Sequence, residues 1–176
     1  MTGHRTAENS DLRAALLELL PQLRRFARSL AGNPHDGDDL MQTTLERALK
    51  KGIPNNAAPR AWLFRVCKNL FIDERRADAV RVKAAQSPEL EEQSISGEQV
   101  AIGELSLREV ERAMGELPEE QRLVLSLVTI EGMSYREAAE VLDVPAGTVM
   151  SRLSRARAAL ARHFARADVA EGECDV

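Results

Sequence analysis

The chain has 176 residues, of which 44% are hydrophobic but only 3% aromatic, and its formal net charge at pH 7 is -4. These figures describe a globular protein with an aliphatic core, long enough for one domain or two small ones. No apolar run approaches bilayer length, which excludes a transmembrane helix, and the opening "MTGHRTAENSDL" lacks the apolar stretch of a signal peptide. A cytoplasmic location without membrane insertion is expected.

The chemistry-bearing residues are sparse. Cys67 and Cys174 lie far apart, and Cys67 falls inside an apolar helical pattern, so a buried thiol and a tail thiol are expected rather than a disulfide. His4, His35 and His163 are scattered without ligand spacing, so no metal and no cofactor are expected. Without a nucleophile-base pair or a phosphate-cradling glycine loop, the chain does not read as an enzyme.

The first helical segment, "LRAALLELLPQLRRFARSLAG", places Leu12, Leu16, Leu19, Leu23, Phe26 and Leu30 at steps of three and four. Pro21 is expected to kink or divide it and Gly32 to end it. The second, "NPHDGDDLMQTTLERALKKG", begins with aspartates suited to a helix N-terminus and is expected to bury Met41, Leu45 and Leu49 beside Leu40 and Ala48. Asp39, Gln42, Glu46 and Arg47 then lie outward, as an ordinary solvated face would.

After the loop "IPNNAAPR" comes "WLFRVCKNLFIDERR", residues 62–76. Helical spacing puts Trp62, Val66, Leu70 and Asp73 on one side and Arg65, Lys68, Asn69, Ile72 and Arg76 on another. Trp62, Phe64 and Phe71 read as core. The basic face is the better nucleic-acid candidate, because Arg and Lys pair with phosphates and the Asn69 amide can meet a base edge.

Charge then changes sign. Residues up to Lys83 carry more basic than acidic groups, whereas "QSPELEEQSISGEQVAIGE" and the tail "ADVAEGECDV" have only acidic charges. Net charge is therefore misleading, since connector and tail supply the negative excess while candidate DNA-facing surfaces stay locally basic. These acidic segments oppose the attraction that drives counterion release, so the free protein is expected to bind DNA weakly.

A second domain starts near Glu104 with "LSLREVERAMGEL", turns at "LPEEQ" with Pro118 at a first helical position, and runs on through "RLVLSLVTIEGM". Leu123, Leu127 and Ile130 are expected to pack beneath the next two helices, with Gly132 ending their own. In "SYREAAEVLDVP", Ser134 is an N-cap and Glu137 completes a capping box, giving a short helix to about Leu142. Asp143, Val144 and Pro145 break it. "VPAGTVMSRLSRARAAL" then forms a further helix with Val149, Leu153, Ala156 and Leu160 inward and Thr148, Ser151, Arg152 and Arg155 outward. Two short helices about a tight turn make a helix-turn-helix. Short hydroxyls reach phosphates and guanidiniums match guanine, so this face reads as DNA-binding, with Arg157 off it.

The expected fold is all-α: two small helical domains, residues 10–83 and 104–167, joined by an acidic flexible linker at 84–103 and followed by an acidic tail at 168–176.

The stretches "DDLMQTTLERA", "PRAWLFRVCKNLFIDERR" and "LPEEQRLVLSLVTIEGMSYREAAEVLDVPAGTVMSRLSRARAAL" together resemble bacterial RNA polymerase sigma factors of the extracytoplasmic function group, in order and over most of the chain. The resemblance implies a region 2-like first domain and a region 4-like second domain. It casts Asp39, Gln42 and Glu46 as contacts to core RNA polymerase, reversing the solvated-face reading. Asn69 would sit near the pocket for a flipped base of the -10 element, with Arg65, Lys68, Arg75 and Arg76 on the separated strand's phosphates. Ser151, Arg152 and Arg155, with Thr148 beside them, would meet the -35 element in duplex form. Met150 departs from the family, many of whose members carry a basic residue there. Promoter DNA, core polymerase and an anti-sigma factor are the implied partners, and stress response the implied setting. A conventional helix-turn-helix regulator acting without polymerase would leave the Asn69 face idle. A purely helical interaction module would make Arg155 dispensable.

Overall fold

The computed structural model describes residues 3–54, 56–85 and 102–172, with side chains for 13–54, 56–81 and 109–165. Among the described residues every regular element is a helix: α1 (Gly3–Ala31), α2 (Pro34–Lys51), α3 (Pro59–Ala85), α4 (Ile102–Glu116), α5 (Glu119–Leu125), α6 (Tyr135–Leu142) and α7 (Ala146–Gly172). Most of the expected linker, and Cys174 in the tail, lie outside the described residues. No described helix is long and apolar enough to cross a membrane.

Helices α1 to α3 form the first domain. Of the two outcomes expected at Pro21, division does not occur: α1 runs through it. Pro21 is itself exposed, while Leu16, Leu23, Phe26, Ala27 and Leu30 bury one stripe of α1 along its length, and that burial outweighs the hydrogen bond proline removes. Gly32, at φ 82°, ends the helix by donating its N–H to the Arg28 carbonyl at 3.1 Å. Asn33 then caps α2, accepting from the Asp36 N–H at 2.9 Å.

The crossing of α1 and α2 is set by Gly37, where a Cβ would come 2.6 Å from the Arg28 Cα. Beside it Asp38 accepts two parallel hydrogen bonds from each of Arg24 and Arg28, at 2.8 to 3.0 Å. These hydrogen bonds hold the Asp38 carboxyl far below the usual carboxylate range. The buried stripe of α2 is Gly37, Leu40, Met41, Thr44 and Ala48. Leu49, expected inside, is 51% exposed. Thr44, which the apolar pattern leaves out, is fully buried, and its hydroxyl donates to the Leu40 carbonyl at 2.7 Å, so it enters the core with its polarity satisfied.

Along α3 the fully packed side chains are Leu63, Phe64, Cys67 and Phe71, with the Phe64 ring 4.9 Å from that of Phe26. The expected stripe of Trp62, Val66 and Leu70 is only half-buried, flanking this one. The Cys67 thiol is pushed up to about 12 by burial, which leaves it unreactive.

In the second domain Pro118 precedes α5 as its N-cap residue instead of opening it. After Leu125 the chain continues as a π-helical turn, Ser126–Ile130. Leu123, Val124 and Leu127 are buried, but Ile130 is 40% exposed. The wider π turn carries it out of the 3.6-residue register from which its burial was expected. Gly132, at φ 65°, then reverses the chain and the Met133 N–H donates to the Leu127 carbonyl at 3.0 Å.

The two domains pack together: α1 meets α4, α5 and the π turn, and α3 meets α6.

Candidate nucleic-acid interface

Ser134 and Glu137 form the expected reciprocal cap on α6: the Glu137 N–H donates to Ser134 Oγ at 3.2 Å and the Ser134 N–H to Glu137 Oε2 at 2.8 Å. The Ser134 hydrogen bonds hold the Glu137 carboxyl below its ordinary range. Helix α6 ends at Leu142, and Asp143 turns the chain at φ 58°. Ala138 is fully buried, allowing α6 to approach α7, whose Val149, Leu153 and Ala156 complete the seam. The helix-turn-helix is thus built as its sequence pattern predicts.

Opposite that seam, α7 exposes Gly147, Ser151, Ser154 and Arg155 on one face, with Met150 at its edge, 54% exposed. Ser151 and Arg155 stand where the pattern puts them. Thr148 is half-buried at the margin, and its carbonyl accepts from the Ser151 hydroxyl at 3.0 Å. Arg152 turns toward α5, where its Nη2 meets Glu120 Oε2 at 2.7 Å. Ser154 escaped the sequence pattern although it follows Ser151 at helical spacing.

On α3, Asn69, Arg75 and Arg76 are exposed. Arg65 donates its Nη2 to the Glu140 carbonyl of α6. Lys68 is half-buried, and burial first, then the nearby Arg65 charge, lowers its ammonium below the ordinary lysine range, with Asp143 opposing. A cleft lined by Lys68, Ile72, Arg76, Glu119, Glu120 and Arg152 separates α3 from α5 and α7.

The outer side of α2 presents Asp39, Gln42 and Glu46, all exposed or half-exposed. Asp39 lies 3.3 Å from His35 and Glu46 lies 3.2 Å from Lys50, contacts loose enough in solvent to leave both carboxylates available. Leu49, three residues beyond Glu46, adds an exposed apolar group to this face. Its helical spacing from Gln42 and Glu46 is the signal for this place in the sequence, set against the usual inward position of leucine. Among the described residues no group of three or more potential ligands could hold a metal ion.

Comparison with known proteins follows the same division. Residues 107–160 match the family "Sigma-70, region 4", and residues 16–68 match "Sigma2 domain of PhyR". The chain is 38% identical over 153 residues to the ECF RNA polymerase sigma factor EcfG of Rhodopseudomonas palustris, covering 85% of this chain and 83% of that protein. Its fold resembles that of the sigma factor RpoE in complex with the anti-sigma factor NepR from Bartonella quintana, with a TM-score of 0.75 and 32% identity, over 88% of this chain and 96% of that one. CnrH in complex with the cytosolic domain of CnrY is also similar, with a TM-score of 0.67 and 27% identity, over 94% and 92% of the two chains. With both domains matched in order and the likeness running over most of the chain, the protein belongs to the extracytoplasmic function sigma factors, which direct RNA polymerase to specific promoters.

Proposed function

We propose that the three outward faces divide the work of initiation. The α2 face, Asp39, Gln42 and Glu46 with Leu49 beside them, docks on core polymerase. The α3 face holds the melted strand of the -10 element: Asn69 contacts an unstacked base, and Arg65, Lys68, Arg75 and Arg76 neutralise its phosphates. Extruding a base is costly, and a charged track beside a pocket offsets that cost. The α7 face reads the -35 duplex, with Arg155 on a base edge, Ser151 and Ser154 close to the backbone, and Thr148 and Arg152 at its margin. The observation that carries this reading is the pairing of an exposed helix-turn-helix face with a second, separate basic face around Asn69. A conventional regulator needs only the first.

A partner of the anti-sigma class is part of the same reading, supported by the complexes of RpoE with NepR and of CnrH with CnrY.

Run-off transcription with purified core polymerase and a genomic promoter library tests the division. The intact chain is expected to start transcription from a narrow set of sites, with Asn69→Ala and Arg155→Ala each strongly weakening it. Duplex binding by the chain alone, with no dependence on core and no effect of Asn69→Ala, would instead mark a regulator of the ordinary helix-turn-helix kind.

A further inference from the structure

The seam between the domains is fastened by polar contacts centred on the π turn. Its first residue, Ser126, is fully buried, and its hydroxyl lies 2.9 Å from that of Ser29 on α1. Its C-cap residue, Glu131, has a side chain with no exposure and meets Arg25 Nη2 of α1 at 3.2 Å. Arg60 of α3 donates its Nη2 to the Glu131 carbonyl at 2.6 Å and its Nε to Gln22 of α1 at 3.0 Å. Arg122 of α5, 5% exposed, donates its Nη1 to the Leu30 carbonyl at 2.8 Å while its Nη2 serves Gly115 and Leu117 in its own domain. The π turn thus sets two polar side chains against α1 that a regular helix would orient differently.

Closure has a consequence for the α3 face. The carbonyl accepting from Arg65 belongs to the C-terminal turn of α6, the negative end of that helix, and Asp143 just beyond it acts on Lys68. Glu119 and Glu120 line the cleft opposite Lys68 and Arg76. Arg65, Lys68 and Arg76 therefore look onto negative groups of the second domain. The seam is also costly: Glu131 Oε1 and Arg122 Nε are buried with no hydrogen-bond partner in the protein, so opening returns two polar atoms to water.

We infer that this seam is an autoinhibitory latch, in which the end of α6 and the Glu119–Glu120 pair occupy the single-strand track of α3 until the domains part. The inference rests on the reading of α3 as the strand-binding face. It explains how a chain with a basic α3 is kept from binding loose single strands before it meets polymerase.

Two latch variants test it in the full chain. Ser29→Arg drives a bulky charge into the seam from α1. Arg25→Ala with Arg60→Ala removes the donors to Glu131, and neither variant touches the faces assigned to DNA or polymerase. Spin labels on Lys51→Cys and Arg136→Cys, in a Cys174→Ser background where buried Cys67 stays unlabelled, report the interdomain distance. A single short distance is expected in the parent and a broad, longer distribution in both variants. The free variants are expected to bind a single-stranded oligonucleotide carrying the mapped -10 element about tenfold more tightly, as when a binding-competent form populated at roughly a tenth becomes dominant. Transcription by the polymerase-bound variants should stay within about twofold of the parent, because the latch must already be open there for the strand to reach α3. A broad distribution in the parent, or a variant that opens without gaining affinity, overturns the latch. Loss of promoter-specific initiation on Asn69→Ala is scored separately, so failure of the α3 reading is distinguishable from failure of the latch.

Discussion

The two faces assigned to DNA are presented differently. On α7, Ser151, Ser154 and Arg155 look outward from a helix whose other side is locked by Val149, Leu153 and Ala156. On α3, Arg65 donates to the end of α6 and Lys68 is half-buried in the cleft facing α5. The difference matches the targets. A duplex offers a fixed groove and suits a surface already formed, whereas a single strand is met only after melting and suits a surface uncovered at that moment.

The largest effect separating the two faces is expected from Arg155→Ala compared with Arg65→Ala in polymerase-bound initiation assays. Losing a base-reading guanidinium should cost about 1–3 kcal/mol, a fall of roughly five- to 150-fold with relaxed sequence choice. Losing one phosphate contact should cost only several-fold and make the salt dependence shallower by about one phosphate. Equal losses with equal salt slopes would erase the distinction.

Next comes Gly37→Ala, which perturbs the first domain alone. A Cβ there collides with the Arg28 backbone, and forcing the helices apart should cost about 1–3 kcal/mol. Thermal denaturation should show the first domain weakened, with -35 duplex binding by α7 retained.

A smaller, pH-dependent effect is expected at Glu131. Burial raises its carboxyl above the ordinary value of 4.5, against the lowering pull of Arg25 and Arg60. The closed form therefore binds this proton more tightly than the open one. Closure should strengthen as pH falls through the raised value toward 4.5 and weaken as pH rises through that window. Glu131→Gln should flatten this dependence, measured as label distance against pH, and an unchanged profile would remove Glu131 from the latch.

The smallest effect is expected from Glu120→Gln. The Arg152–Glu120 pair has one well-exposed partner, so releasing it is worth less than about 1 kcal/mol. A rise of about twofold in -35 duplex affinity would place Arg152 at the edge of the reading face, and no change would leave it as a purely structural contact.

Much of the fold was legible in the sequence where physics is local. The capping box at Ser134, the stop at Gly32 and the inward stripe of Val149, Leu153 and Ala156 all follow from spacing and backbone chemistry within one or two turns. The misplaced residues, Leu49 and Ile130, and the continuity of α1 through Pro21 share another cause. Each depends on what a helix packs against: the buried stripe of α2 runs through Gly37, Leu40, Met41, Thr44 and Ala48 and leaves Leu49 outside, a π turn rotates Ile130 outward, and burial from Leu16 to Leu30 carries α1 through Pro21. Leu49 belongs to its outer face by position, against the inward preference of its residue type.

From sequence alone came the all-α class, the two helical units, the helix-turn-helix and the sigma-factor likeness, because periodicity, caps and breaks act over a few residues. Only the tertiary structure decided that Arg65 and Arg152 are engaged and Lys68 half-buried, that Arg122 and Glu131 are buried in a seam, and that the domains close on one another. Those outcomes join residues up to 106 positions apart, where desolvation and charge pairing depend on which surfaces meet.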